Sequence, residues 1–219
     1  PDTIDQNAYF IRTGTGGLFA AHYGVNVFKG NISTEGSTSA VEFGTAQNGG
    51  IVLNGKSQQL IKGDNPSVLP SFWALTLNNA AGVNLQTPIK ILSSLTLGTG
   101  NITTDNTNLL QLETNATVSG ASGTSLINGP VKKTGSTAFT FPVGKGTNYQ
   151  PLTISAPGTA SDAFVAEYFN TAQSFGASKD ASFGTLSNCE YWNLNRTNGT
   201  SSVNITLGWN QNSCAITQP

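Results

Sequence analysis

The fold is decided by Ser71-Phe72-Trp73-Ala74-Leu75-Thr76-Leu77-Asn78-Asn79-Ala80-Ala81-Gly82-Val83-Asn84-Leu85-Gln86-Thr87-Pro88-Ile89-Lys90-Ile91-Leu92-Ser93-Ser94-Leu95-Thr96-Leu97. Leu75-Thr76-Leu77 returns 20 residues later as Leu95-Thr96-Leu97, and a related Leu110-Gln111-Leu112 follows. Between and after them lie Val83–Leu85, Ile89–Ile91 and Thr117–Val118. Each stretch sets apolar side chains on one face and polar ones on the other, the period-two pattern of a half-buried strand. Strands of three or four residues, recurring about every 20 residues between tight turns, describe the coils of a β-solenoid. A coil cannot bury its apolar face alone, so several must stack. Asn78, Asn79, Asn101, Asn108 and Asn128 fall at turns, where Asn tolerates left-handed backbone and can bond to its neighbour in a stack. An antiparallel sandwich of short strands competes for residues 25–128. The solenoid is favoured because strands this short rarely close hairpins in good register.

Upstream, Val25-Asn26-Val27-Phe28, Val41-Glu42-Phe43 and Ile51-Val52-Leu53 continue the alternation, and no segment carries a capped helical period. After Gly129-Pro130 the texture changes. Strands lengthen and aromatics gather in Phe139–Val143, Leu152–Ile154, Phe164–Tyr168, Glu190–Leu194 and Val203–Trp209. These read as a β-sandwich, with Val203, Ile205, Leu207 and Trp209 turned inward. The expected architecture is therefore all-β: a right-handed parallel β-solenoid followed by an antiparallel β-sandwich. Residues 1–24 form a strand or loop segment that caps the solenoid or continues an upstream module. Residues 25–130 form the solenoid, and residues 131–219 a sandwich lacking its final strands.

Composition limits what such a scaffold can do. Charged residues make up 10% of the chain, against roughly 25% in an ordinary soluble domain. The polar surface must come from Thr, Ser, Asn, Gln and Gly, which suits a turn-rich secreted β-protein. A net charge of -1 with scattered basic residues offers no phosphate-binding face, so nucleic acid is not an expected partner. No apolar run reaches the roughly 20 residues of a membrane span. The chain starts at Pro1 and contains no Met, so it is expected to be a processed product or an internal stretch of something longer. The two cysteines, Cys189 and Cys214, read as one structural disulfide, the alternative being two separate buried thiols.

Residues that could carry chemistry are few. General acid–base work on a sugar wants two carboxylates about 5–9.5 Å apart. The nearest pairings in sequence, Asp105 with Glu113 and Asp162 with Glu167, read as solvated turn or edge charges. His22 is the single histidine and reads as a surface or loop residue. No catalytic residue, metal ligand or cofactor is assigned, and no enzymatic activity is expected. Gly14-Thr15-Gly16-Gly17 lacks the helix and the Lys of a phosphate loop and reads as a turn. Trp73 reads as a cap on the solenoid, and Trp192 and Trp209 as core.

Three stretches, taken in order, carry a resemblance. They are Gly50–Gly63 running on to Phe72–Val83; Ile127-Asn128-Gly129-Pro130-Val131-Lys132-Lys133-Thr134 with Phe141–Gly146 and Tyr149–Leu152; and Glu190–Thr197 with Val203–Trp209. Together, over roughly residues 40–214, they resemble the repetitive regions of large Bacteroidota cell-surface proteins. Those proteins are exported by the type IX secretion system and include gliding-motility and adhesin-like proteins. The resemblance implies a structural or adhesive segment at the outer-membrane exterior. It implies three partners: flanking modules of one long chain, the secretion machinery in transit, and the cell envelope. It transfers no catalytic residue, because the matching positions are Gly, Pro and apolar anchors. A polysaccharide-binding module is the alternative, with surface polysaccharide as partner, and a glycan lyase or hydrolase comes third.

Overall fold

A strand that hides only every second side chain needs a partner surface, and in this chain each coil supplies it to the next. The computed structural model describes residues 2–14, 18–20 (backbone only), 24–44, 49–174, 180, 182, 186–209 and 213, and no helix occurs among them. The first coil runs through β1 (Thr3–Ile4), β2 (Ala8–Tyr9) and β3 (Leu18–Ala20). The second holds β4 (Gly24–Phe28), β5 (Ile32–Ser33) and β6 (Val41–Phe43), and the third β7 (Gly49–Leu53), β8 (Gln59–Lys62) and the start of β9 (Ser71–Asn78). β9 turns a corner into the fourth coil, which continues through β10 (Val83–Gln86) to the start of β11 (Ile89–Thr99). β11 turns the next corner, and β12 (Ile102–Thr103) and β13 (Leu110–Leu112) complete the fifth coil. β14 (Thr117–Ser119), β15 (Ile127–Asn128) and β16 (Val131–Thr134) follow.

Corresponding strands pair in parallel on three faces. On the first face the register passes through Thr3, Val27, Val52, Thr76, Thr96 and Ser119. The steps are 24, 25, 24, 20 and 23 residues, so the chain makes five turns of a β-solenoid. The 20-residue repeat of the Leu-Thr-Leu motif is thus the shortest step, and corner loops absorb the rest.

Interior positions line up in columns along the axis. One runs Phe28, Leu53, Leu77, Leu97, and another Ile51, Leu75, Leu95. All seven are buried. The rings of Phe43 and Phe72 stack 4.7 Å apart, 8° from parallel. Polar side chains at the corners satisfy one another. Gln59, buried, donates to the carbonyls of Phe28 (3.0 Å) and Gly30 (2.6 Å) and accepts from Asn79 Nδ2 (3.0 Å). Asn101 behaves as the turn reading expects, its Oδ1 accepting the Leu126 N–H of the next coil (3.1 Å).

Beyond the solenoid come β17 (Phe139–Phe141), β18 (Gly144–Lys145), β19 (Asn148–Tyr149), β20 (Leu152–Ile154), β21 (Ala163–Phe169), β22 (Tyr191–Asn198) and β23 (Ile205–Leu207). β21 and β22 extend the third face antiparallel from β16, making that sheet mixed. β17, β20 and β23 form a separate antiparallel sheet.

Several expectations need correction. The parallel stack starts at Thr3 rather than Val25, because β1 and β2 already pair with β4 and β5. Residues 131–133 pair with β13 on one side and residues 131–134 with β21 on the other, so the change at Gly129-Pro130 falls within a continuous sheet. Trp73 is half-buried at the corner in the middle of β9, not at an end of the stack. Ile205, Leu207 and Trp209 are 52%, 46% and 60% exposed. Ile205 and Leu207 lie opposite the buried Ile154 and Leu152, and so share their face. Among the described residues, β23 is nevertheless the last strand of its sheet.

Candidate functional site

The densest chemistry lies where the parallel stack gives way to antiparallel strands. The column Phe43, Phe72, Ile91, Leu112 on the third face continues in register to Lys133. Strand alternation forces this, since Val131 faces the core and Lys133 is two residues on. The side chain is 3% exposed. Its Nζ donates to the carbonyls of Glu113 (2.6 Å), Thr114 (2.9 Å) and Thr134 (2.9 Å) and sits 5.4 Å from the centre of the Phe139 ring. Three donors thus meet three acceptors at the end of an apolar column. Burial pulls the Lys133 ammonium down to about 8, partly opposed by the charge of Glu113. Next to it, Gly129 holds φ at +138°, where a Cβ would overlap the Thr104 carbonyl, and Thr104 Oγ1 donates to the Pro130 carbonyl (2.8 Å). The Gly-Pro-Val-Lys-Lys run is therefore the joint itself.

A second network closes the antiparallel part. Tyr168 Oη donates to Glu190 Oε2 (2.9 Å) and accepts from Asn148 Nδ2 (2.9 Å). Gln150 Nε2 donates to Ser213 Oγ (2.6 Å) and, more loosely, to Glu190 Oε2 (3.3 Å). Trp192 Nε1 donates to the Gln150 carbonyl (3.0 Å). Tyr168, Gln150, Glu190 and Ser213 are all buried. Burial, and after it the bond and charge of Glu190, push the Tyr168 hydroxyl far above the usual phenol range, so it remains a donor at physiological pH. Cys189, next to Glu190, is disulfide-bonded. Cys214 lies outside the described residues, as do His22, Gly16 and Gly17.

The carboxylate pairs do not come together as sites. Asp105 is exposed and accepts from the N–H groups of Thr107 and Asn108 (2.7 Å each) and from Asn108 Nδ2 (2.9 Å). The Asn108 bonds hold its carboxyl below the usual range. Glu113 faces Lys90 instead, at 3.9 Å. Glu167 pairs with Lys145 at 2.9 Å. Asp162 corrects the expectation of a solvated charge: it is buried. It accepts from Ser201 Oγ and from the Thr159 N–H (3.0 Å), and these partners, Ser201 first, hold its carboxyl below the usual range. Trp192 packs against the core as expected, whereas Trp209 does not. Among the described residues no three His, Cys, Asp or Glu side chains converge as metal ligands would.

Sequence reasoning passed over Lys133, Tyr168, Gln150 and Glu190. A signal existed only for Lys133, whose spacing from Val131 places it inward. The Glu190 carboxylate meets Tyr168 and Gln150, which lie 22 and 40 residues away. Comparison with known protein families, curated proteins and solved structures finds no match to this chain.

Proposed function

We propose that this chain is a structural, adhesive segment of a large bacterial cell-surface protein exported by the type IX secretion system. In this reading the solenoid is right-handed, the sense that crossovers between parallel strands almost always take. The antiparallel strands after it belong to a β-sandwich. The observation that carries the proposal is the set of interior columns running from coil to coil, one of which ends at the buried Lys133. Parallel rungs about 4.8 Å apart give five turns a rise of about 24 Å. A stack of this kind resists bending because every rung is bonded along its length to the next. Such a rod holds whatever is attached to it at a fixed distance from a surface, which is a mechanical role rather than a catalytic one.

The test is surface localisation in the bacterium that encodes the chain. Antibody raised against residues 1–219 should label intact cells, and labelling should disappear when the type IX translocon is disabled. The antigen should then migrate with an intact mass far above 22.7 kDa. Labelling confined to permeabilised cells would overturn the proposal.

A further inference from the structure

A groove lies on the second face of the first three coils, away from the joint. Tyr9, Ser33 and Lys62 occupy one register row, Tyr9 opposite Ser33 and Ser33 opposite Lys62. Two rungs separate the ends, a span of about 10 Å. Asn7 and Asn31 form a second row. Asn7 Oδ1 accepts the Asn31 N–H (2.9 Å) and Asn31 Oδ1 accepts the Leu60 N–H (2.8 Å). Both amide oxygens are thereby fixed, and both NH2 groups are left without a partner among the described residues. Ser33 Oγ donates to Glu35 Oε2 (2.9 Å), leaving Oε1 open. The Lys62 ammonium has no ion pair or hydrogen bond among the described residues. Tyr9 is 68% exposed beside these groups, and with them it lines a small groove partly open to solvent.

We propose that this groove is a subsite for one neutral sugar ring of a polysaccharide. A pyranose has an apolar C–H face and a rim of hydroxyls that both donate and accept. Tyr9 supplies a flat, amphipathic ring to stack on. Asn7, Asn31 and Lys62 supply unused donors, and Glu35 an unused acceptor, spaced around it. The single positive and single negative charge cancel, which favours a neutral sugar over a polyanion. The groove is small and partly open to solvent, which suits one ring held weakly. A longer chain would gain strength only through repeated contacts. This inference goes beyond the display role and does not depend on where the protein resides.

The probes are soluble hexasaccharides of β-1,4-glucose, β-1,4-mannose, β-1,4-xylose and α-1,4-glucose, with polygalacturonate as the anionic comparison. Saturation-transfer NMR and calorimetry on the whole chain should detect at least one neutral hexasaccharide with Kd at or below about 1 mM. Tyr9→Ala and Glu35→Gln should each weaken it by about tenfold or more while leaving Tm unchanged. Should Tyr9→Ala perturb the first coil, Glu35→Gln alone decides. The proposal is overturned if no neutral hexasaccharide binds at about 10 mM. It is equally overturned if binding survives both substitutions, or if polygalacturonate alone binds.

Discussion

At the residue scale the informative positions are polar groups forced inward by the strand period. Lys133 faces the core because Val131 does, and the last coil offers its ammonium three carbonyls. The folded chain gives up this proton near pH 8, the unfolded chain near 10.5. Between those values the unfolded state binds more protons, so stability rises with pH across the window and the full penalty of burying the charge applies below it. Urea midpoints measured at about pH 7.5, 9 and 10.5 should climb for the native chain and stay flatter for Lys133→Met. Identical slopes in the two proteins would refute the assignment. Gly199 holds φ at +84° and a Cβ there would overlap the Asp162 carboxylate. Gly199→Ala should therefore lower stability by about 1–3 kcal/mol, through strain and through the lost Asp162 bonds. In an Asp162→Ala background the clash is gone and only the backbone strain remains, so the cost should shrink. Equal costs in both backgrounds would remove Asp162 from the explanation.

At the element scale each rung contributes one or two side chains to a shared column. Leu77 has Leu53 on one side and Leu97 on the other, whereas Thr76 shares a strand with it but faces out. Leu77→Ala should cost about 2–5 kcal/mol by opening a cavity that stacked neighbours cannot collapse into. Thr76→Ala should stay within about 0.5 kcal/mol. Denaturant titration of the two variants separates the columns from mere strand propensity, and comparable losses would contradict the stacking account. The bonded Cys189 sits beside the buried Glu190. Peptide mapping of unreduced protein should recover Cys189 linked to Cys214. Such a bridge closes a short loop, so reduction should lower stability by about 3 kcal/mol. Recovery of alkylated Cys214 from unreduced protein would exclude the pairing.

At the scale of the whole molecule the main consequence comes from β16, which belongs to the parallel stack and to the antiparallel extension alike. A strand shared in this way couples the two parts, because neither can lose it without exposing the other's core. Unfolding should be one transition. Trp73 lies in the solenoid and Trp192 in the antiparallel part. Variants that keep only one of these two tryptophans, with Trp209 replaced, should give coincident fluorescence midpoints in urea. Midpoints that separate would mean two independent folding units joined at Gly129-Pro130.

The all-β class and the stacking of short strands were legible because both rest on local chemistry. Leu75-Thr76-Leu77 and Leu95-Thr96-Leu97 each declare a half-buried strand, and their spacing declares the coil. The texture change at Gly129-Pro130 was equally visible, since strand length and aromatic content are properties of nearby residues. Which residues would be buried after it was not. Asp162 looks like a turn charge until Ser201 and Gly199 fold over it, and Val203-Asn204-Ile205-Thr206-Leu207 looks like a core strand, yet its Ile205 and Leu207 are exposed. Alternation says which face of a strand a side chain is on. Only the positions of distant strands decide whether anything covers that face. The groove at Tyr9 is of the same kind, assembled from three coils whose paired residues lie 24 and 29 positions apart in the chain.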